Sequence, residues 1–224
     1  GSRELTPESD LDLIFIYDLP TDAGPSDGQK SLMPSQYYAR LSQRLINSIT
    51  AQTSEGDLYE VDMRLRPSGT SGPIASSFEA FIHYHQDHAW TWEHMALTKV
   101  RIIEGPPELC RKIEGIVAET LTRERNPDEL LLDVADMRMR MDREYHTEFI
   151  WDVKHLRGGL IDVEFIVQYL QLRHAHEYSQ VLNGDARVVL DTFGQLKILD
   201  TAQATDLIAA LDLWRGLQGM LRLT

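Results

Sequence analysis

Apolar residues in LDLIFIYDL fill both faces of an extended segment between Pro7 and Pro20. This predicts a strand over residues 10–17 covered on both sides, as in the middle of an α/β layer. The following TDAGPSDGQKS has turn and breaker chemistry throughout and predicts an exposed loop over 21–31. Beyond it, Tyr38, Leu41, Leu45 and Ile46 recur at helical spacing to about residue 50, with Ser35 placed to cap the helix. A turn at Ser54-Glu55-Gly56-Asp57 leads into LYEVDMRL, where Tyr59, Val61, Met63 and Leu65 alternate with Leu58, Glu60, Asp62 and Arg64. That alternation is the cleanest strand pattern in the chain. The Pro- and Gly-rich stretch from Pro67 to Pro73 ends it in a loop.

After Ser76 the period changes. Helical patterns at 78–94, 108–122, 129–143, 161–176, 186–196 and 205–221 make the second half mostly α. The break at Gly105-Pro106-Pro107 predicts a mixed catalytic core over 1–105 followed by a helical bundle over 106–224, an α+β chain.

With 224 residues, 42% of them hydrophobic, the chain can bury one good core or two modest ones. A formal net charge of −13 argues against general binding to nucleic-acid backbones and favours a protein partner, while leaving room for a local basic site around a triphosphate. The single cysteine, Cys110, excludes an intramolecular disulfide framework and agrees with a reducing compartment. No apolar run approaches a membrane span and no basic leader precedes an apolar stretch, so a soluble, cytoplasmic protein is expected.

Asp10 and Asp12 lie one residue apart on the first strand, so both side chains leave the same face. Asp62, on the second strand, offers a third carboxylate. Three such groups on neighbouring strands suit Mg²⁺, which takes oxygen ligands. Two Mg²⁺ ions can stabilise the attacking and leaving oxygens of an in-line displacement. A lone Asp-x-Asp is also compatible with a solvated pair or with the metal site of a glycosyltransferase. Arg64 and Arg66 follow Asp62 on its own face; they suit phosphate oxygens, or pair with Asp10, Asp12 or Glu60 to hold the site together. Lys99 and Arg101 add charge or form surface pairs. Gly1-Ser2 offers small-residue amides to a phosphate, or is an expression scar.

The offsets among His83, His85, His88 and His94 do not build a tetrahedral zinc site. Phe81, Tyr84, Trp90 and Trp92 read as packing residues in preference to a base-stacking platform. Gly158-Gly159 ahead of Asp162 and Glu164 reads either as a helix start with acidic first-turn residues or as a contact at the domain junction or with substrate.

Taken in order, SDLDLIF, YEVDMRLRPSG, AWTWEHMALTKVR and HLRGGLIDVEFIVQYLQLRHAH resemble the glutamine synthetase adenylyltransferase family over most of residues 1–176. The first block occurs across the wider polymerase-β-like nucleotidyltransferases, and the second and fourth are specific. Ser68 and Trp90-Thr91-Trp92 are more similar to the family's C-terminal, adenylylating half than to its AMP-removing half. The resemblance implies a polymerase-β-like nucleotidyltransferase sheet followed by a helical bundle. It also implies ATP as substrate, Asp10, Asp12 and Asp62 as ligands of two Mg²⁺, and Gly1-Ser2 as the end of a nucleotide loop whose Gly-Lys part precedes residue 1. On this basis both domains are truncated.

By the same resemblance AMP moves from ATP to a tyrosine hydroxyl of glutamine synthetase and pyrophosphate leaves, which regulates nitrogen assimilation. Glutamine and the PII signalling protein would control the full-length enzyme. Phosphorolytic removal of AMP by the same carboxylates, and a non-catalytic module that binds nucleotide or a regulator, are the alternatives.

Overall fold

The computed structural model of the chain describes residues 10–20, 22–52, 54, 56 and 59–221. These form two compact units, one of residues 10–89 with Pro106–Ile113, the other of Trp90–Gly105 with residues 114–221.

The first unit is built on an extended stretch that changes partner along its length. Its first part, β1 (Leu11–Asp12), pairs in parallel with β3 (Val61–Asp62), and its second, β2 (Phe15–Tyr17), pairs in parallel with β4 (Ala75–Ser77). Parallel neighbours require a crossover, and helix α1 (Pro34–Ile49) lies between β2 and β3 in the chain and packs on β4. Tyr38 of α1 stacks flat on Tyr17, with ring centroids 4.5 Å apart. Helix α2 (Phe78–Asp87) starts directly after β4, where the Ser77 hydroxyl accepts the Ala80 N–H. Its Phe81 and His85 are buried, edge to face.

Several expectations are corrected here. The strand expected over 10–17 is interrupted at Leu13 and Ile14, and Phe15 to Tyr17 are half-buried, not covered on both faces. The second strand ends at Asp62, because the Asp62 carboxylate accepts the Arg64 N–H and a turn from Met63 to Arg66 takes the next donor. Helix α1 starts at Pro34 with Met33 as its N-cap, so Ser35 lies within the first turn; Pro at the first position has no amide hydrogen that needs a cap. Leu41 and Leu45 are about half exposed, and Ser42 is the residue α1 buries. Strand β4 was not expected: Ala-Ser-Ser carries no β-pattern, and its pairing with β2 sets its conformation.

The second unit is helical: α3 (Thr91–Leu97), the end of α4 (Pro107–Thr122), α5 (Pro127–Glu144), α6 (Leu160–His174), α7 (Ala186–Gln195) and α8 (Thr201–Leu221). The expected helix over 78–94 is two helices. The Tyr84 carbonyl accepts from both His88 and Ala89, and α3 restarts where the Glu93 carboxylate accepts the Trp90 N–H. Val163, Val167, Val189, Leu190, Phe193 and Leu211 form the core where α6, α7 and α8 meet. Inside it the buried Gln171 amide donates to the carbonyls of Val181 and Asn183, which fixes the loop before α7.

Phe193 has no exposed surface, so Phe193→Ala is expected to cost about 3–5 kcal/mol in a urea titration, because a cavity remains on several sides. Arg125 closes the end of α4 by donating to the carbonyls of Thr120, Leu121 and Arg123. Burial pushes its pKa down to about 10, yet it stays charged at neutral pH. Arg125→Met leaves those carbonyls short of donors and is expected to cost about 2 kcal/mol by the same titration. Among the described residues no helix is long and apolar enough to cross a membrane.

Candidate active site

Two main-chain hydrogen bonds set the register that matters. Leu11 N donates to Glu60 O at 2.8 Å and Leu13 N donates to Asp62 O at 2.9 Å, which brings Asp12 level with Asp62 across the parallel pair. Adjacent strands stand about 4.8 Å apart, and side chains at register positions leave the same face, so the two carboxylates are neighbours. Asp10 is exposed, two residues ahead of Asp12 at the entry to β1.

Asp62 is the enclosed member, with its side chain 15% exposed. Arg64 grips it: the backbone N–H reaches Oδ1 at 2.8 Å, Nε reaches Oδ2 at 2.7 Å, and Nη2 also contacts Oδ2. The Arg64 side-chain hydrogen bond holds the Asp62 carboxyl below the usual carboxylate range. Partial burial opposes it, and the Arg64 amide and the charges of Arg64 and Arg66 add to it. Asp62 is thus a carboxylate held in its ionised form, its side chain largely covered and its charge balanced by the Arg64 guanidinium.

Arg66 is used differently. It lies under the loop that follows, donating from Nη1 to Met63 O at 2.7 Å, from Nε to Gly72 O at 3.3 Å and from Nη2 to Thr70 O at 3.4 Å. The loop is tight: Ser68 and Gly69 have positive φ, a 3₁₀ turn spans Gly69–Ser71, and a Cβ on Gly72 would lie 2.1 Å from Pro67 O. The two arginines expected to act together therefore have separate partners, Arg64 on the carboxylate and Arg66 on loop carbonyls. Gly1 and Ser2 lie outside the described residues.

Hard oxygen donors on adjacent strands fit Mg²⁺, and the Arg64 guanidinium on Asp62 shows that the position takes a cation. Among the described residues no three acidic, His or Cys side chains converge on one metal position as they stand. Asp12 and Asp62 are the part of the expected triad that the strand pairing itself assembles.

Elsewhere in the sequence-derived set, Lys99 pairs with Glu164 at 2.7 Å inside the helical unit. Asp162 accepts from the Gly158 amide and from Arg138 Nε, and so ties the start of α6 to α5. His83 stands exposed near Asp87, His85 and His94 are buried, and Trp90 is 70% exposed, which removes it from the packing role expected of it. The brace made by Arg66 was not foreseen, since carbonyl acceptors leave no mark in a sequence.

Residues 1–116 match the family model for glutamate-ammonia ligase adenylyltransferase. Over 223 residues the chain is 48% identical to a bifunctional glutamine synthetase adenylyltransferase/adenylyl-removing enzyme of Rhodopseudomonas palustris, covering 100% of this chain and 22% of the relative. A protein of the same description from Bradyrhizobium diazoefficiens is 47% identical with the same coverage. One from Xanthobacter autotrophicus is 43% identical over 224 residues, 100% of this chain and 23% of the relative. The chain thus spans under a quarter of the length of the curated relatives it matches. It matches them along all of its own length, and the family model covers Asp10 and the strands that carry Asp12 and Asp62, so this chain belongs to the glutamate-ammonia ligase adenylyltransferase family.

Proposed function

We propose that this segment is the catalytic part of a cytoplasmic protein adenylyltransferase, in which AMP passes from ATP to a tyrosine hydroxyl of glutamine synthetase. The observation that carries the reading is the level placement of Asp12 and Asp62 on paired parallel strands, inside the residues that match the family model. Asp10, Asp12 and Asp62 would hold two Mg²⁺, which when bound supply charge neutralisation and lower the pKa of a hydroxyl nearby. The tyrosine hydroxyl loses its proton to solvent as its oxygen attacks the α-phosphorus, the bond from that phosphorus to the bridging oxygen breaks, and pyrophosphate leaves with the electron pair. The chain's own residues orient the reactants and neutralise charge. Arg64 is the guanidinium suited to the triphosphate, because Arg66 is committed to its loop. Gly1-Ser2 would extend the nucleotide site. A polymerase-β-like nucleotidyltransferase sheet would fit this use, with a mixed core at 1–105 and a helical bundle at 106–224 as the proposed functional parts.

A second reading has a specific observation behind it, since the relatives are described as bifunctional, with an adenylyl-removing activity. The same carboxylates would then serve phosphorolysis, with inorganic phosphate as acceptor. Ser68 and the Trp90-Thr91-Trp92 run support transfer, by their likeness to the adenylylating half. In the full-length protein the PII signalling protein and glutamine would set the direction.

Supplying a chain extended to its relatives' length with two substrates in parallel separates the readings. Unmodified glutamine synthetase with ATP labelled in the α-phosphate should gain label in an Asp62-dependent way. Adenylylated glutamine synthetase with inorganic phosphate should release ADP independently of Asp62. The reverse pattern would assign this segment to removal.

A further inference from the structure

Arg64 takes up both carboxylate oxygens of Asp62 through two kinds of donor. Its own backbone N–H holds Oδ1, and its side chain closes on Oδ2. The first bond belongs to the turn that ends β3 and would persist whatever the side chain does. The second is made by an exposed side chain: that of Arg64 is 72% exposed, whereas the carboxylate it covers is 15% exposed. A largely enclosed carboxylate thus has its charge balanced by a guanidinium carried on an exposed side chain. Arg66, the other nearby guanidinium, cannot substitute, because its donors go to the carbonyls of Met63, Thr70 and Gly72.

We propose that Arg64 is a placeholder for the metal on Asp62: the guanidinium neutralises the carboxylate until a divalent cation displaces it, and only then is the fork released to face phosphate. The proposal rests on the reading of Asp12 and Asp62 as metal ligands. It makes Arg64 a positioning residue that sets the cation concentration at which the site assembles. Its fork is available to a triphosphate only when the metal is in place, which couples nucleotide capture to metal loading. A purely structural Arg64, present to secure the strand end, would leave metal affinity untouched.

The test is a titration of the chain with Mn²⁺ alone, free Mn²⁺ being read by electron paramagnetic resonance, so that no turnover is needed. Arg64→Met is expected to bind Mn²⁺ about tenfold more tightly than the parent, since the cation no longer competes with the fork. Arg64→Lys keeps the charge without the fork and is expected to fall between the two. Asp62→Asn is expected to lose the site.

Unchanged or weaker binding by Arg64→Met, with binding still lost in Asp62→Asn, would overturn the placeholder and leave the metal site standing. Parent-like binding by Arg64→Lys beside tight binding by Arg64→Met would also overturn it, because net charge alone would then be acting. Mn²⁺ binding that ignores Asp62→Asn would overturn both the placeholder and the metal reading beneath it. Circular dichroism of each variant confirms that the titrated protein is folded, as the exposure of Arg64 leads one to expect.

Discussion

Asp12→Asn is expected to lower AMP transfer by about a thousandfold or more while shifting the melting temperature by no more than about 2 °C. Both halves follow from the same geometry. Asn matches Asp in shape, the residue is exposed, and the bonds that set its register come from the amides of Leu11 and Leu13, so the ladder does not depend on the carboxylate. What the amide cannot do is present a charged oxygen beside Asp62. Transfer assayed with saturating Mg²⁺ and ATP, alongside a thermal melt of the same preparation, checks the two halves together. A large melting shift would mean that Asp12 has a structural role.

Gly72→Ala carries the second large effect. The added methyl would stand 2.1 Å from Pro67 O, 3.2 Å from Pro67 C and 3.3 Å from the Ser68 Cβ, and two of these three are main-chain atoms that cannot rotate away. The loop must open, and Arg66 then loses the carbonyls of Gly72 and Thr70 that it spans. We expect a loss of about 3 kcal/mol in urea unfolding, together with reduced transfer, because this loop directly follows Asp62. Gly28→Ala is the control. Nothing lies within 4 Å of a Cβ there and the backbone is not in the left-handed region, so it is expected to be neutral.

The helices after residue 105 were legible because α4, α5 and α7 carry an amphipathic pattern, while α6 and α8 are long runs rich in apolar residues. Asn126 caps α5 and Asp185 caps α7, as their residue types lead one to expect. The sheet was less legible. The strand patterns around Asp12 and Asp62 were visible, but each ladder is shorter than its pattern, because side-chain bonds such as that of Asp62 to the Arg64 amide compete with pairing. Strand β4 consists of small residues and exists through its partner alone.

At the site, period-two alternation placed Asp10 and Asp12 on one face, and strand register, which no local pattern encodes, put Asp12 level with Asp62. Alternation also put Arg64 and Arg66 on one face. The turn at Met63 cancels that alternation, so one arginine serves the carboxylate and the other the loop.

In the reading proposed above, the Asp12 and Asp62 pair is a metal-dependent centre for AMP transfer. Its most direct test is the appearance of label from α-labelled ATP on unmodified glutamine synthetase, with Mg²⁺, using a chain extended to the length of its relatives. Label is expected on a tyrosine of the target, absent with chelator and absent in Asp62→Asn. Undiminished label in Asp62→Asn, from a protein whose melting curve matches the parent, would contradict it.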